Sequence, residues 1–363
     1  MSKFKRSLNH YEEALELAKS LDSKNEKLET KAIILGNMGL VFRDQGFPRK
    51  ALKYFENVIG IDDKILDEKH KAGTLGNMGL IYLDLGELDN AKKYFEESLT
   101  IHKRASDKLG IAGNVGNIGL VLRRQGEPEG ALEHFKEALQ INKNINHLPG
   151  ISNQHSNIGI LYHNIGNLNE AFHHTKEALE IDRKTNYKLG IANNLSNMGI
   201  QLKDMGRLNE AFDCLRQALD THREIGSKPG IGRVKINLGV VLRELGKPEE
   251  ALREFQEALD IHKKLKDKHN IANCLSNIGH SFEKKGDLKK AIKYIEEALV
   301  LHRETSFHLG IANQLASLGI IHKILNNPQK AFDYLGQALE IYTQIKALIQ
   351  VRAMEMAIKT IKT

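Results

Sequence analysis

The 363-residue sequence contains no tryptophan, only two cysteines and six prolines. Aromatic residues make up 6% of the chain, which argues against a large β-sandwich with an aromatic core. Cys214 and Cys274 are too few for a disulfide scaffold or a four-cysteine zinc site, and both are expected to be small, buried, apolar residues. There is no apolar run near the ~20 residues of a membrane-spanning helix, and the first residues lack the apolar core expected of a signal peptide. These features predict a reduced, cytoplasmic protein.

The rest of the composition is typical of a folded protein, because 41% of the residues are apolar and 27% are charged. The 53 basic and 46 acidic side chains leave a net charge of +7, which is a weak argument for a nucleic-acid partner. Basic residues alternate with acidic ones, and most aromatic residues fall at expected core positions instead of forming a stacking face. We therefore expect neither nucleic acid nor a membrane as the partner.

The sequence repeats every 40 residues, without insertion or deletion across eight units. Seven units carry Asn-x-Gly and a second glycine seven residues later, whereas the eighth has Ser317-x-Gly319 and Asn326. All eight have an alanine five residues after the second of these positions. A fixed period of this size is typical of a solenoid. The repeated asparagine, called here the long asparagine row, occurs at Asn37, Asn77, Asn117, Asn157, Asn197, Asn237 and Asn277.

Each unit is predicted to form two helices. In the fifth unit, Leu195, Met198 and Leu202 lie three or four residues apart, on one helical face. Gly206 should end this helix, because glycine tolerates a left-handed backbone. In four units a proline stands two residues after that position, where a helix can begin without the missing N–H. These prolines are Pro48, Pro128, Pro248 and Pro328.

This pattern resembles the tetratricopeptide repeat. In the second unit the matching residues are Leu75, Met78, Gly79, Tyr82, Gly86, Ala91, Phe95 and Ser98. The resemblance implies an all-α, right-handed superhelical solenoid of antiparallel helix pairs. The usual repeat has 34 residues, so the extra length is expected to extend the second helix. The 40-residue variety looks like the repeats of Pins/LGN-type adaptors, and kinesin light chains are similar.

About eighteen helices are expected, in three segments. Residues 1–30 should form an amino-terminal helix, residues 31–346 the eight repeats, and residues 347–363 a closing helix. We interpret the end helices as caps with a face that water tolerates. The alternative is that the chain is part of a longer protein.

The sequence carries no motif of a catalytic or phosphate-binding site. Four of the sixteen histidines, His102, His222, His262 and His302, recur at one repeat position. We expect them to be half-exposed at helix ends, too far apart to share an ion. His155 replaces an apolar residue and is interpreted as a core irregularity. The protein is therefore expected to be neither an enzyme nor a holder of a metal or cofactor.

The long asparagine row lies on the first helices, which line the concave surface of such solenoids. Asparagine is a poor helix former, so its repetition needs an explanation. One explanation is that the amides bind the backbone of an extended peptide, since each offers donors and an acceptor. The other is that they brace neighbouring repeats. A short asparagine row stands four residues earlier, and ligand contact is favoured there. Its members are Asn153, Asn193, Asn273 and Asn313.

Basic residues on the same faces outnumber acidic ones, which suggests ligands that carry carboxylates. Solvation of the groove rim by these charges is the alternative. Leu and Ile follow the Leu-Gly positions where Pins/LGN-type repeats often have another asparagine, so the groove is more apolar than theirs. Arg123, Arg124 and Arg233 are the best candidates for carboxylate contacts, and Lys203 and Arg243 join them.

The predicted function is a non-enzymatic scaffold that binds an extended peptide or a partner helix in its concave groove. One alternative is a ligand-sensing regulatory segment of a larger signalling protein. Another is a solenoid that self-assembles as a homo-oligomer through its ends. The predicted peptide-binding residues are Asn77, Asn117, Asn153, Asn157, Asn193, Asn197, Asn237, Asn273 and Asn277, with Arg123, Arg124, Lys203, Arg233 and Arg243.

Overall fold

A computed structural model describes residues 3–65 and 67–361 of the chain. Within these residues it contains eighteen α-helices and no strand, as the sequence predicts. The chain divides into two compact units, Met1–Thr185 (unit 1) and Asn186–Thr363 (unit 2). The boundaries predicted for the end segments stay predictions.

Unit 1 contains nine helices among its described residues, and each even-numbered helix packs against the next one as an antiparallel pair. The helices are α1 (Lys3–Ala18), α2 (Lys24–Asp44), α3 (Pro48–Ile65), α4 (Glu68–Asp84), α5 (Leu88–Arg104), α6 (Lys108–Gln125), α7 (Pro128–Asn144), α8 (Leu148–Asn164) and α9 (Leu168–Lys184).

Unit 2 follows the same plan in the residues that the structure describes, and it ends with a helix that packs on α17. Its helices are α10 (Lys188–Asp204), α11 (Leu208–Glu224), α12 (Lys228–Glu244), α13 (Pro248–Leu265), α14 (Lys268–Lys284), α15 (Leu288–Glu304), α16 (His308–Ile324), α17 (Pro328–Gln344) and α18 (Leu348–Lys359).

In five of the eight repeats both helices contain 17 residues, and in the other three their lengths differ by one to three residues. The expectation that the extra length lies in the second helix stays a prediction. In the fifth repeat α10 and α11 contain 17 residues each. Gly206 ends the first with φ 76°, and Gly226 follows the second with φ 68°. A left-handed residue in each turn stops both helices at the same length.

Small residues let the two helices of a repeat approach closely. A Cβ atom on Gly79 of α4 would lie 2.6 Å from the Phe95 ring of α5, so no larger residue fits without movement. Phe95 and Ala91 are fully buried in the core of unit 1. The recurrent Gly and Ala positions are thus explained by helix packing.

The first and second helices of a repeat meet at a pair of side chains that is apolar in most repeats and polar in two. In the second repeat Leu75 packs beside Tyr94. At the same positions in unit 1, His155 and His174 form a hydrogen bond, with Nδ1 atoms 3.0 Å apart. His155 is 7% exposed, so the structure confirms a core irregularity, and burial lowers its pKa to about 4.

Unit 2 carries the second polar pair. Lys235 occupies the position of Leu75, and its Nζ donates to Glu254 at 2.6 Å. Glu257 lies 2.8 Å from the same ammonium group. The Lys235 side chain is only 6% exposed, so the two carboxylates compensate a buried charge.

Candidate functional site

The long asparagine row lies on the first helix of seven of the eight pairs and is half-buried throughout, and Ser317 takes its position on the eighth. We call this surface the amide face; in unit 1 it is carried by α2, α4, α6 and α8, and in unit 2 by α10, α12, α14 and α16. Buried residues such as Leu195, Met198 and Leu202 hold the opposite side of each helix in the core, which turns the asparagines outward. In the fifth repeat Asn193, Ser196 and the half-buried Lys203 share the amide face with Asn197, as the sequence predicts.

Most amides of the long row make no hydrogen bond with any residue that the structure describes. Asn277 is the exception, because its Oδ1 accepts from the Arg243 guanidinium at 3.2 Å. Its Nδ2 also donates to the Asn273 carbonyl at 3.0 Å. Bracing of neighbouring repeats therefore accounts for one member of the row. The members without a partner among the described residues are Asn37, Asn77, Asn117, Asn157, Asn197 and Asn237.

The short asparagine row divides in the same way. Asn313 accepts a hydrogen bond from the Tyr342 hydroxyl at 2.7 Å, and Asn273 donates weakly to Asn270 at 3.5 Å. Asn153 is exposed and Asn193 is half-buried, and within the described residues neither has a hydrogen-bonding partner. Ligand contact is therefore open to Asn153 and Asn193, while the other two already serve the fold.

Arg123 is the most unusual of the basic candidates. Its side chain is half-buried, and its Nη1 atom is buried with no hydrogen-bonding partner among the described residues. Burial, together with the neighbouring Arg124, lowers the pKa of Arg123. A guanidinium group in this state favours an incoming anion, because its charge is partly desolvated and has no carboxylate partner.

The other basic candidates are already engaged or fully solvated. Arg124 donates to the Leu83 carbonyl, and Lys203 forms an ion pair with Asp204 at 2.6 Å. Arg243 bonds Asn277 and lies 5.7 Å from the centre of the Phe255 ring. Arg233 is exposed on α12.

Among the described residues, a cavity opens on the amide face of each unit. In unit 1 a cavity of about 430 Å³ lies between α2 and α4, beside Asn37 and Asn77. In unit 2 a cavity of about 350 Å³ lies between α14 and α16, beside Asn277 and Asn313. Both cavities occur where the first helices of consecutive repeats meet, so they are products of the repeat.

The sequence reasoning missed a set of polar residues three positions before the long row, which we call the deep amide row. Asn114, Gln154 and Gln314 are at least 93% buried, and the side-chain oxygen of each has no hydrogen-bonding partner in the described structure. Gln154 lies against Gly116, whose missing side chain leaves room for it. Aligning the units at a period of 40 residues shows this row in the sequence, at Thr74, Asn114, Gln154, Asn194 and Gln314.

The recurrent histidines are buried, which contradicts the expectation of half-exposed side chains. His222, His262 and His302 are at most 1% exposed, and burial lowers the pKa of each. Gly230 explains the burial of His222, because the ring occupies the space of a side chain in the next helix. Of the two cysteines, Cys274 is buried as expected, whereas Cys214 is partly exposed.

Among the described residues no group of three or more His, Cys, Asp or Glu side chains is arranged to hold a metal ion. In the same part of the chain, none of the helices combines the length and apolarity required to span a bilayer. The polar groups of the amide face are amides, hydroxyl groups and charged side chains of both signs, such as Lys203 and Asp204.

Stacked helix pairs, joined by short turns and packed through small residues, define a helical-repeat solenoid protein. The tetratricopeptide-repeat profile matches residues 30–104, 109–184, 190–264 and 269–344. These segments make up most of the sequence, and the chain belongs to the tetratricopeptide-repeat family. No curated protein sequence matches the chain.

Several solved structures have a similar fold. The apo form of the quorum sensor NprR from B. thuringiensis is 16% identical with a TM-score of 0.66, and the match covers 93% of this chain and 97% of that one. A Rap protein complexed with competence and sporulation factor is 15% identical with a TM-score of 0.60, covering 93% and 98%. A signal-transduction ATPase from Pyrococcus horikoshii with a tetratricopeptide-repeat sensor is 14% identical with a TM-score of 0.63, covering 98% and 55%. At these identities the likeness concerns the fold.

Proposed function

We propose that this protein is a non-enzymatic, cytoplasmic interaction scaffold that binds an extended peptide on its amide face. The observation that carries the proposal is the row of half-buried asparagine amides without partners among the described residues. An extended peptide offers N–H and C=O groups that such amides bind equally well. Similarity to a Rap protein solved with competence and sporulation factor supports the proposal at the level of the fold.

Arg123 would add a preference for peptides with an acidic group near the amides of unit 1. Its guanidinium group has no carboxylate partner in the described part of the chain, and Arg124 next to it adds to the local positive potential. A carboxylate is the natural complement, because it accepts two parallel N–H bonds from one guanidinium. The half-buried Leu40, Leu80 and Leu120 supply apolar contacts on the same face.

The test uses peptides selected from a random library against the whole chain, with binding measured by fluorescence anisotropy. We expect the double variant Asn117→Ala with Asn157→Ala, or Asn197→Ala with Asn237→Ala, to weaken binding about tenfold or more, from two hydrogen bonds of ~1 kcal/mol each. The pair that responds identifies the unit that binds the peptide. Arg123→Met should weaken the binding only of those peptides that contain an acidic residue.

The matched control is Asn277→Ala, because that amide already bonds Arg243. Replacing a free asparagine by alanine should raise stability by a few tenths of a kcal/mol through helix propensity. Asn277→Ala should lower stability, since it removes a hydrogen bond between repeats. If the library yields no peptide, or if both double variants bind unchanged, the proposal is wrong. A steep fall of affinity with salt would instead favour nucleic acid.

A ligand-sensing segment of a larger signalling protein is the second candidate. The fold similarity to the quorum sensor NprR and to the sensor of a signal-transduction ATPase favours it. Self-assembly through α18 is less favoured. On α18, the side chains of Arg352, Glu355 and Lys359 are exposed. They stand at the repeat positions of Ala312, Leu315 and Gly319, which α16 presents to its partner helix. Sedimentation at increasing concentration distinguishes these cases, because only self-assembly makes the mass rise.

A further inference from the structure

The cavity between α14 and α16 of unit 2 differs in chemistry from its counterpart in unit 1. Gln314 of the deep amide row lines it, together with Asn273, His302, Phe307 and Tyr342. Thr74 stands at the corresponding position in the cavity between α2 and α4. The Thr74 hydroxyl donates to the His70 carbonyl of its own helix at 3.1 Å, so its donor is already used.

The Gln314 amide is not satisfied in this way. The side chain is 3% exposed, and its Oε1 atom is buried without a hydrogen-bonding partner in the described structure. Its Nε2 atom likewise forms no hydrogen bond with a described residue. A buried amide oxygen without a partner is costly, which makes Gln314 a candidate binding group for a molecule that enters the cavity.

The other polar groups around the cavity are mostly occupied. Asn313 accepts from Tyr342, and Asn277 bonds both Arg243 and the Asn273 carbonyl. The cavity lining contains no Asp, Glu, Lys or Arg side chain, so an ionised ligand would find no counter-charge there. Burial lowers the pKa of His302, whose ring is therefore neutral at pH 7. The cavity suits a neutral polar group.

We propose that the cavity between α14 and α16 binds a primary carboxamide, carried by a glutamine or asparagine side chain of a peptide ligand. Oε1 of Gln314 accepts one N–H of the ligand amide, and Nε2 donates to its carbonyl oxygen. Phe307, Ile320 and Tyr342 supply apolar walls for the methylene groups. This inference rests on the proposed peptide-binding function only in that a peptide is the molecule that carries the carboxamide.

A glutamate side chain has the same shape as glutamine but no N–H group, so it would place a carboxylate oxygen against Oε1 of Gln314. A site built to hydrogen-bond an N–H rejects an analogue without one, because its own buried acceptor stays unpaired. The discrimination between glutamine and glutamate therefore measures the role of Gln314 directly.

The test is saturation-transfer NMR on the whole chain at pH 7, with N-acetyl-L-glutamine N-methylamide and the corresponding glutamate compound as probes. We expect the glutamine probe to bind about tenfold more tightly or better than the glutamate probe. Gln314→Met should abolish this preference, since methionine keeps the volume and removes both hydrogen-bonding atoms. Gln314→Thr, which copies Thr74, should do the same.

The matched control is Gln154→Met, the same substitution in the deep amide row of unit 1, which should leave probe binding unchanged. Circular dichroism would establish that each variant keeps its helices. Equal binding of the two probes, no binding of either, or a preference that survives in both Gln314 variants would overturn the inference. The two probes are single capped residues, which are too short to span the long asparagine row. Their binding is therefore independent of whether the peptide library yields a ligand.

Discussion

Arg123 in unit 1 and Arg243 in unit 2 occupy the same position of their repeats. Arg243 donates to Asn277 of the following repeat and lies over the Phe255 ring. Arg123 makes no such bond to a described residue, and its Nη1 atom is buried. At one and the same repeat position each unit also has a buried polar pair, His155 with His174 in unit 1 and Lys235 with Glu254 in unit 2. One repeat template thus accommodates polar groups that brace the fold and polar groups that stay available.

The largest effect is expected at the buried ammonium of unit 2. The double variant Glu254→Ala with Glu257→Ala leaves Lys235 buried without a counter-charge, which should destabilise the fold by about 3–5 kcal/mol. Lys235→Met should be neutral or stabilising, because it removes the charge and leaves both glutamates partly exposed. Urea unfolding followed by circular dichroism measures both. If Lys235→Met is the more damaging change, the ion pair is a net source of stability.

A similar effect, dependent on pH, is expected at the histidine pair of unit 1. The pKa of His155 is lowered to about 4, below the ~6.5 of an unfolded histidine, so the unfolded chain binds more protons between these values. Stability should be fully present above pH ~6.5 and fall as the pH drops toward 4, by about 3 kcal/mol for this group.

The control for the pH effect is the double variant His155→Leu with His174→Tyr, which copies Leu75 and Tyr94 of the second repeat. Other buried histidines with lowered pKa remain in it, so only the difference between variant and original chain reports on the pair. Melting temperatures measured from pH 7 to pH 4 provide that difference. Parallel curves for the two proteins would contradict the prediction.

The smallest effect concerns the two arginines themselves. Arg243→Met should destabilise by about 1 kcal/mol, because the hydrogen bond to Asn277 and the contact with Phe255 are lost. Arg123→Met should leave the melting temperature unchanged or raise it, since a desolvated charge without a partner is removed. Equal losses for the two variants would show that Arg123 also supports the fold.

Much of the fold follows from local patterns in the sequence. The positions of Gly206 and Pro248 mark turns and helix starts, because backbone freedom at glycine and the missing N–H of proline act within one turn. The stop after the second helix was not predicted, although Gly226 and several residues at equivalent positions adopt a positive φ there.

The candidate site was predictable only in part. The long asparagine row was found because its residues recur in register, and the structure places it half-buried on one face. The burial of His222 and its equivalents was missed, because it depends on the space left by Gly230 in the next helix. Gln314 was missed because Val234 and Cys274 interrupt its row, and because the sequence gives no sign of whether a polar side chain in a helix has a partner.

The sequence by itself determined the repeat, its register, the helix pairs and the family, because helix periodicity and turn residues act over a few positions. Only the tertiary structure decided which polar groups are used. Asn277 is braced because Arg243 of the preceding repeat reaches it, while Asn157, which also follows an arginine by 34 residues, has no partner among the described residues. Arg243 and Asn277 are 34 residues apart in the sequence, and their side chains form a hydrogen bond only because the packed helices bring them within reach. Helix packing therefore decides which of these side chains are used.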